Sequence, residues 1–116
     1  MTQHFPAFFA LSGRTCLVVG TTAAAQRKAA MLREAGACIR QVDAASFVPR
    51  QLAGCTLAIV ASGDDAADRA VACATAERGV PVNVVDRPDL SSFIVPAIID
   101  RAPATVPSRA TRFCTR

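Results

Sequence analysis

The sequence of 116 residues contains no tryptophan and no tyrosine, and its single histidine is His4. A metal site built from clustered histidine and cysteine ligands is therefore not expected. The cysteines are odd in number and include no Cys-x-x-Cys pair, and all but Cys114 lie in apolar stretches. This pattern favours buried free thiols in a reducing compartment over a disulfide framework. The five are Cys16, Cys38, Cys55, Cys73 and Cys114.

Long apolar runs are also missing. None approaches the roughly 20 residues that a membrane helix requires, and the N-terminus lacks the basic start and apolar core of a signal peptide. The formal net charge is +4, but the basic residues are scattered except near the C-terminus, without the stacking aromatics of a nucleic-acid surface. We therefore expect a cytoplasmic protein with neither a nucleic-acid nor a membrane partner.

What the sequence has is an alternation of apolar strands and helices. Its hydrophobic content of 52% suits one small domain with a real core. Strands are predicted at residues 15–19, 37–42, 55–61 and 80–85, helices at 23–35 and from 65 to Gly79, and a strand-like run at 93–99. This order predicts an α/β fold, a Rossmann-like doubly wound and mostly parallel sheet with helices on both faces. We assign residues 1–104 to this domain and 105–116 to an irregular basic tail.

The turn after the first strand resembles part of a dinucleotide fingerprint, G-x-G-x-x-G/A. Gly20 and Ala25 satisfy the first and third positions, which need a sharp turn and close helix packing. Thr22 replaces the second glycine, so its Cβ would crowd the phosphate oxygens, although its hydroxyl could donate to one. The free N–H groups of the following helix form an anion site. A nucleotide-binding turn and an ordinary βα turn both remain open.

Two aspartates follow predicted strands at the edge where doubly wound sheets bind ligands. Asp43 lies 23 residues after Gly20, where a carboxylate can hold the ribose hydroxyls of NAD; the alternative is an exposed loop residue. Asp86 could serve as a general base or hold a cationic group, or it could cap the turn before Pro88. Asp64 and Asp65 are expected to be helix N-cap residues.

Four segments resemble a known family: residues 8–28 (FFALSGRTCLVVGTTAAAQRK), 32–37 (LREAGA), 57–65 (LAIVASGDD) and above all 83–101 (NVVDRPDLSSFIVPAIIDR). They are similar to the N-terminal domain of siroheme synthase, which also stands alone as precorrin-2 dehydrogenase/sirohydrochlorin ferrochelatase. The resemblance covers most of residues 5–103. It implies an NAD-binding Rossmann fold, a homodimer, and NAD-dependent oxidation of the tetrapyrrole precorrin-2 to sirohydrochlorin, often accompanied by iron insertion.

The resemblance also implies site residues. Asp86, the aspartate of NVVD, is the acid/base candidate, and the carboxylates of the substrate favour Arg87 and Arg101 as contacts. The implied NAD contacts follow the glycine turn and the second strand: Gly20, Thr22, Ala23, Ala24, Asp43, Ala44 and Ala45.

Three features depart from the family. Its turn is normally Gly-Gly-Gly, where this chain has Gly20-Thr21-Thr22, and the stretch between the second and third predicted strands is shorter. The family also continues into a helical dimerisation region, where this chain has TVPSRATRFCTR, which is expected to be a truncated or frameshifted end. These departures keep a second hypothesis open, in which the domain is a degenerate, non-catalytic Rossmann module that binds a nucleotide or a partner chain.

Overall fold

The computed structural model describes residues 5–95, so residues 96–99 of the last predicted strand, Arg101, Cys114 and the basic tail lie outside the described part. Four strands and two helices alternate along the chain, and two short 3-10 turns precede the third strand. They are β1 (Thr15–Val19), α1 (Ala23–Glu34), β2 (Cys38–Val42), the turns Ala44–Ser46 and Pro49–Leu52, β3 (Cys55–Val60), α2 (Asp65–Arg78) and β4 (Val82–Val84).

The strands form one parallel sheet in the order β2-β1-β3-β4. In the central strand β1, Val19 is in register with Val42 of β2 on one side and with Val60 of β3 on the other. After β1 the chain passes through α1 to β2 at one edge of the sheet. It then crosses back to β3, which lies on the other side of β1. The direction of winding therefore reverses between β1 and β3, and their carboxyl ends form the crevice where such sheets bind ligands. The predicted Rossmann-like α/β fold is confirmed.

The two helices cover opposite faces of this sheet. Ala25, Ala29 and Leu32 of α1 pack in one cluster with Cys16 and Val18. The alternate side chains of β1 belong to the other cluster, with Leu52 and the inner side of α2. Both faces of β1 are thus buried, which explains its continuous apolar sequence.

The structure agrees only in part with the inner side that the sequence predicts for α2, namely Ala67, Ala70, Val71 and Ala74. Val71 and Ala74 are buried as expected, but Ala70 is exposed, while Asp68 and Thr75 are buried. Residues 68, 71 and 75 share a face at helical spacing. Because alanines occur on all sides of this helix, apolar residues alone did not define which side meets the sheet.

The expectation of buried thiols holds only in part. Cys16 is buried and Cys55 half-buried, but Cys38 and Cys73 are exposed. Cys38 starts β2, which is an edge strand, and Cys73 lies on the outer side of α2. All four are free thiols in the described part of the chain.

No strand follows β4 within the described residues, so the prediction of a strand from residue 93 is wrong for residues 93–95. Instead, serine hydroxyls cover the edge of β4. The hydroxyl of Ser92 accepts from the Val82 N–H, and that of Ser91 from the Val84 N–H, both over 2.8 Å. The Ser92 N–H donates in return to the Val82 carbonyl over 2.8 Å. The edge is thus satisfied locally, as exposed sheet edges require.

Candidate functional site

Gly20 fixes the turn between β1 and α1 to both neighbouring strands. Its N–H donates to the Val42 carbonyl over 2.8 Å, and its own carbonyl accepts from Gln41 Nε2 over 3.0 Å. Its φ is +122°, and a Cβ at this position would lie 2.3 Å from the Ala61 carbonyl oxygen. Glycine is therefore required here by its left-handed conformation and by close contact with the end of β3.

Thr22 is the N-cap of α1. Its hydroxyl oxygen accepts from the Ala25 N–H over 3.1 Å, and its hydroxyl proton is donated to the Ala61 carbonyl over 2.8 Å. The single hydroxyl proton is thus directed to Ala61, and the expected contact of Thr22 with a phosphate oxygen stays a prediction. The role of Thr22 in the structure is to hold the turn against β3.

The first turn of α1 fits an anionic group. The N–H groups of Ala23 and Ala24 precede the first intrahelical bond and have no acceptor within the helix. Ala23 is exposed and Ala24 half-buried, and both side chains are small. Backbone donors at a helix N-terminus, with no bulky side chain over them, suit the oxygens of a pyrophosphate.

Asp43 lies at the same edge as this turn. It directly follows Val42, whose carbonyl binds the Gly20 N–H, and its side chain is exposed. Oδ1 accepts from the Ser46 N–H over 2.9 Å and so caps the short 3-10 turn at Ala44–Ser46. A carboxylate accepts several hydrogen bonds, so Asp43 can cap this turn and still face a pair of ribose hydroxyls. Ala44 is half-buried and Ala45 exposed beside it.

Asp86 lies two residues beyond β4, in a turn closed by the Arg87 N–H donating to the Val84 carbonyl over 3.0 Å. Its φ is +64°, and no other non-glycine residue among residues 5–95 has a positive φ. Aspartate tolerates this conformation better than most residues, but it remains uncommon and is found at functional sites. The side chain is exposed.

Two adjoining cavities have Asp86 in their walls. One, of about 180 Å³, is lined by Thr22, Ala24, Gly63 and Asp68 on the side of the glycine turn. The other, of about 200 Å³, is lined by Lys28, the β4 end and the turn that follows it. Asp43 lines neither. Each is smaller than the ~300 Å³ at which ligand pockets begin, so each holds only the part of a ligand nearest Asp86.

Arg87 is engaged by two carboxylates. Its Nε and Nη2 donate to Asp89 over 3.1 and 2.9 Å, and its Nη1 donates to Asp65. The pKa of Asp89 is lowered by this bond, and the pKa of Asp65 is lowered by hydrogen bonds first from Arg69 and then from Arg87. Three of the five N–H donors of Arg87 are thus used within the protein, and its charge is balanced by two carboxylates, which disfavours a further bond to a substrate carboxylate.

Of the two acidic residues predicted to cap α2, one does so and the other does not. Asp64 is the N-cap, as expected, and accepts from the Ala66 N–H over 3.3 Å. Asp65 is the first helical residue and binds Arg69 over 2.8 Å. The residue that faces the cavity is Asp68, only 8% exposed; its Oδ1 accepts from Ser62 Oγ over 2.5 Å.

Sequence reasoning missed two charged residues of these cavities, Asp68 and Lys28, and also Ser62, whose hydroxyl binds Asp68. Asp68 precedes the buried Val71 by three residues, so it shares the sheet-facing side of α2, and this spacing could have identified it. Lys28 could have been identified in the same way, because it lies three residues after the buried Ala25 and four before the buried Leu32. Within the described residues, no cluster of three or more histidine, cysteine, aspartate or glutamate residues could hold a metal ion. None of the described helices is long and apolar enough to cross a membrane.

Comparison with known proteins places this architecture in a family. The family model described as "Putative NAD(P)-binding" matches residues 7–97, a segment that includes Gly20, Asp43 and Asp86. Siroheme synthases are similar over 90% of the chain: that of Nitrosomonas eutropha is 40% identical, that of Citrobacter koseri 41% and that of Azotobacter vinelandii 42%.

The chain spans about a quarter of the length of these relatives, 26% for Nitrosomonas eutropha and 27% for Citrobacter koseri. The predicted resemblance to a siroheme synthase domain is confirmed by these identities. The family model matches well over half of the residues, and the chain therefore belongs to this NAD(P)-binding family.

Proposed function

We propose that this domain binds NAD⁺ and oxidises precorrin-2 to sirohydrochlorin, with Asp86 as the proton acceptor. The observation that supports this most is the position of Asp86 in the walls of both cavities, one beside the glycine turn and one beyond β4. A carboxylate there lies between a dinucleotide on one side and a substrate on the other. The similarity to siroheme synthases supports the tetrapyrrole as that substrate.

On the cofactor side, the N–H groups of Ala23 and Ala24 would bind the pyrophosphate, and Gly20 would keep the turn tight enough for its approach. The carboxylate of Asp43 would accept hydrogen bonds from the ribose hydroxyls, with Ala44 and Ala45 beside it. A negative charge at this position repels a 2′-phosphate, which favours NAD over NADP.

The reaction removes a hydride and a proton from precorrin-2, and the two electrons leave with the hydride. NAD⁺ supplies the hydride acceptor. The carboxylate of Asp86 takes the proton as the new double bond of the macrocycle forms, and because its side chain is exposed it can release that proton to water. Sirohydrochlorin, NADH and one proton are the products, so charge and electrons balance.

The surroundings of Asp86 hold it in place. The turn from Val84 to Arg87 is closed by a backbone hydrogen bond, and Arg87 is bound by Asp65 on α2 and by Asp89. A base that is held in position before substrate binds needs less reorganisation in the transition state. The role of Arg87 in this proposal is thus to position Asp86.

The experiment compares Asp86→Asn with the matched control Asp64→Asn. Asparagine tolerates a positive φ as aspartate does, and it serves equally well as an N-cap at position 64, so both variants should fold. We expect Asp86→Asn to lower anaerobic turnover of precorrin-2 by about 10²–10⁴-fold with unchanged calorimetric affinity for NAD⁺, and Asp64→Asn to match wild type. Full turnover by Asp86→Asn would contradict the proposal. NAD⁺ binding without turnover by wild type would favour the non-catalytic module instead.

Two further properties implied by the resemblance stay predictions. Light scattering of the purified chain tests the homodimer, and anaerobic addition of ferrous iron to sirohydrochlorin with and without the protein tests iron insertion.

A further inference from the structure

The cavity beyond β4 is lined by two cations and one carboxylate: Lys28, Arg87 and Asp86. Arg87 is neutralised by its bonds to Asp65 and Asp89. Lys28 is half-buried on α1, and no ion pair within the described residues includes it. Of the two cations, only Lys28 therefore has no ion pair with a carboxylate of the described residues.

The other polar side chains of this cavity have partners. Asn83 Nδ2 donates to the Phe93 carbonyl over 3.0 Å. Ser91 Oγ accepts from the Val84 N–H over 2.8 Å and lies 2.9 Å from the Arg87 carbonyl, to which it donates. These groups fasten the segment after Asp86 onto β4. Lys28 and Asp86 therefore remain as the two charged side chains of this cavity that have no ion-pair partner among the described residues.

We infer that Lys28 binds a carboxylate of the tetrapyrrole and thereby sets the position of the ring relative to Asp86. This rests on the proposed function, since it names a binding contact for the substrate of the same site. A lysine ammonium is a compact charge on a flexible stem and accommodates a carboxylate without strict geometry. Bonds between two ionised groups are stronger than neutral ones, more so in a half-buried cavity.

A different role for Lys28 would be to act only through the charge of Asp86 across the cavity. The two roles differ in a double-mutant cycle. If Lys28 contacts the ligand, its replacement weakens ligand binding equally whether position 86 is aspartate or asparagine. If it acts through Asp86, its effect disappears in the Asp86→Asn background.

The test titrates the whole 116-residue chain with uroporphyrin, a stable porphyrin rich in carboxylates, and with a water-soluble cationic porphyrin. Binding is followed by porphyrin fluorescence for wild type, Lys28→Gln, Lys28→Arg and Arg27→Gln. Arg27 is the matched control, because it is the adjacent exposed cation of α1 and lines neither cavity.

We expect Lys28→Gln to weaken uroporphyrin binding by about tenfold or more, Lys28→Arg to restore most of it, and Arg27→Gln to change it little. The loss should persist in Asp86→Asn and be absent for the cationic porphyrin. Equal affinities of Lys28→Gln and Arg27→Gln, no uroporphyrin binding by wild type, or a loss that vanishes in Asp86→Asn would each overturn the inference. If the turnover of precorrin-2 is the same in Lys28→Gln as in wild type, the inference about Lys28 is overturned but the proposed function is not. If uroporphyrin binding depends on Lys28 but the protein shows no NAD⁺-dependent turnover, the proposed function is overturned and the contact of Lys28 with a carboxylate is supported.

Discussion

Thr22 Oγ1 donates a hydrogen bond to the carbonyl oxygen of Ala61 over 2.8 Å, across 39 residues of sequence. This bond joins the first residue before α1 to the residue that follows β3. Gly20 packs against the same carbonyl, where a Cβ would lie 2.3 Å from its oxygen. The carboxyl ends of β1 and β3 are thus fixed to each other at the place where the proposed dinucleotide binds.

Replacing Thr22 by valine removes this hydrogen bond and the N-cap together while keeping the shape of the side chain. We expect the free energy of unfolding to fall by about 1–2 kcal/mol, because the Ala25 N–H loses its partner and the Ala61 carbonyl loses its donor. Urea unfolding measures the change. Thr22→Ser keeps the hydroxyl and should stay close to wild type; equal stability of the valine and serine variants would argue against this role.

The carboxylate of Asp43 should determine the choice between NAD⁺ and NADP⁺. Asp43→Asn keeps an oxygen to accept the Ser46 N–H, so the 3-10 turn stays capped, but it removes the charge that repels a 2′-phosphate. We expect the ratio of NAD⁺ to NADP⁺ affinity to fall, mainly through tighter NADP⁺ binding. Calorimetric titration of both cofactors measures this ratio. An unchanged ratio would place the ribose away from Asp43.

The conformation of Asp86 predicts an unusual order of stabilities. At a φ of +64°, an alanine Cβ is crowded by the neighbouring carbonyl, whereas glycine has no such conflict. We expect the free energy of unfolding of Asp86→Ala to be about 1 kcal/mol lower than that of Asp86→Gly, although alanine is normally the more stabilising residue. Both variants should lose turnover, since both lack the carboxylate. An alanine variant as stable as the glycine variant would show that the turn relaxes to a negative φ.

The ion pairs of Arg87 predict a loss of stability in acid. Hydrogen bonds to arginine lower the pKa of Asp65 and of Asp89 below the ordinary value of 3.8. A carboxylate whose pKa is lower in the folded state stabilises the fold at pH values above its pKa in the unfolded state. This contribution is lost as the pH falls through its pKa in the folded state. The free energy of unfolding should therefore decrease below about pH 4, modestly because the carboxylates are exposed, and less so in high salt.

The double variant Asp65→Asn/Asp89→Asn isolates this effect. Its unfolding free energy should vary less between pH 5 and pH 2 than that of wild type, whereas Asp64→Asn, which removes a carboxylate outside the ion pairs, should retain more of the wild-type slope. Identical slopes for the double variant and wild type would show that these ion pairs do not form in solution.

Much of the fold follows from local patterns in the sequence. The strands β1 and β3 are continuous apolar runs that end at small residues, and α2 ends at Gly79, whose φ is +69°, so their order and type were predictable. The carboxyl edge of a parallel sheet then brings Gly20, Asp43 and Asp86 to one side without any knowledge of side-chain contacts. This part of the candidate site follows from topology.

The contacts that decide what each residue does were not predictable, because their partners are distant in sequence. The proton of Thr22 is taken by Ala61, and Arg87 is bound by Asp65, which lies 22 residues earlier. Nothing local in either case indicates that the polar group is already used. The serines after Asp86 were not predictable for the same reason. The apolar run beside them has the pattern of a strand, but their hydroxyls bind the edge of β4.

We propose above all that this domain couples the oxidation of precorrin-2 to the reduction of NAD⁺. The most direct measurement mixes the wild-type chain with both compounds under anaerobic conditions and follows NADH and sirohydrochlorin by absorbance. We expect the two products to form in equal amounts and the omission of either reactant to abolish both. No NADH from a chain whose circular dichroism shows it to be folded, or NADH formation that does not depend on precorrin-2, would contradict it.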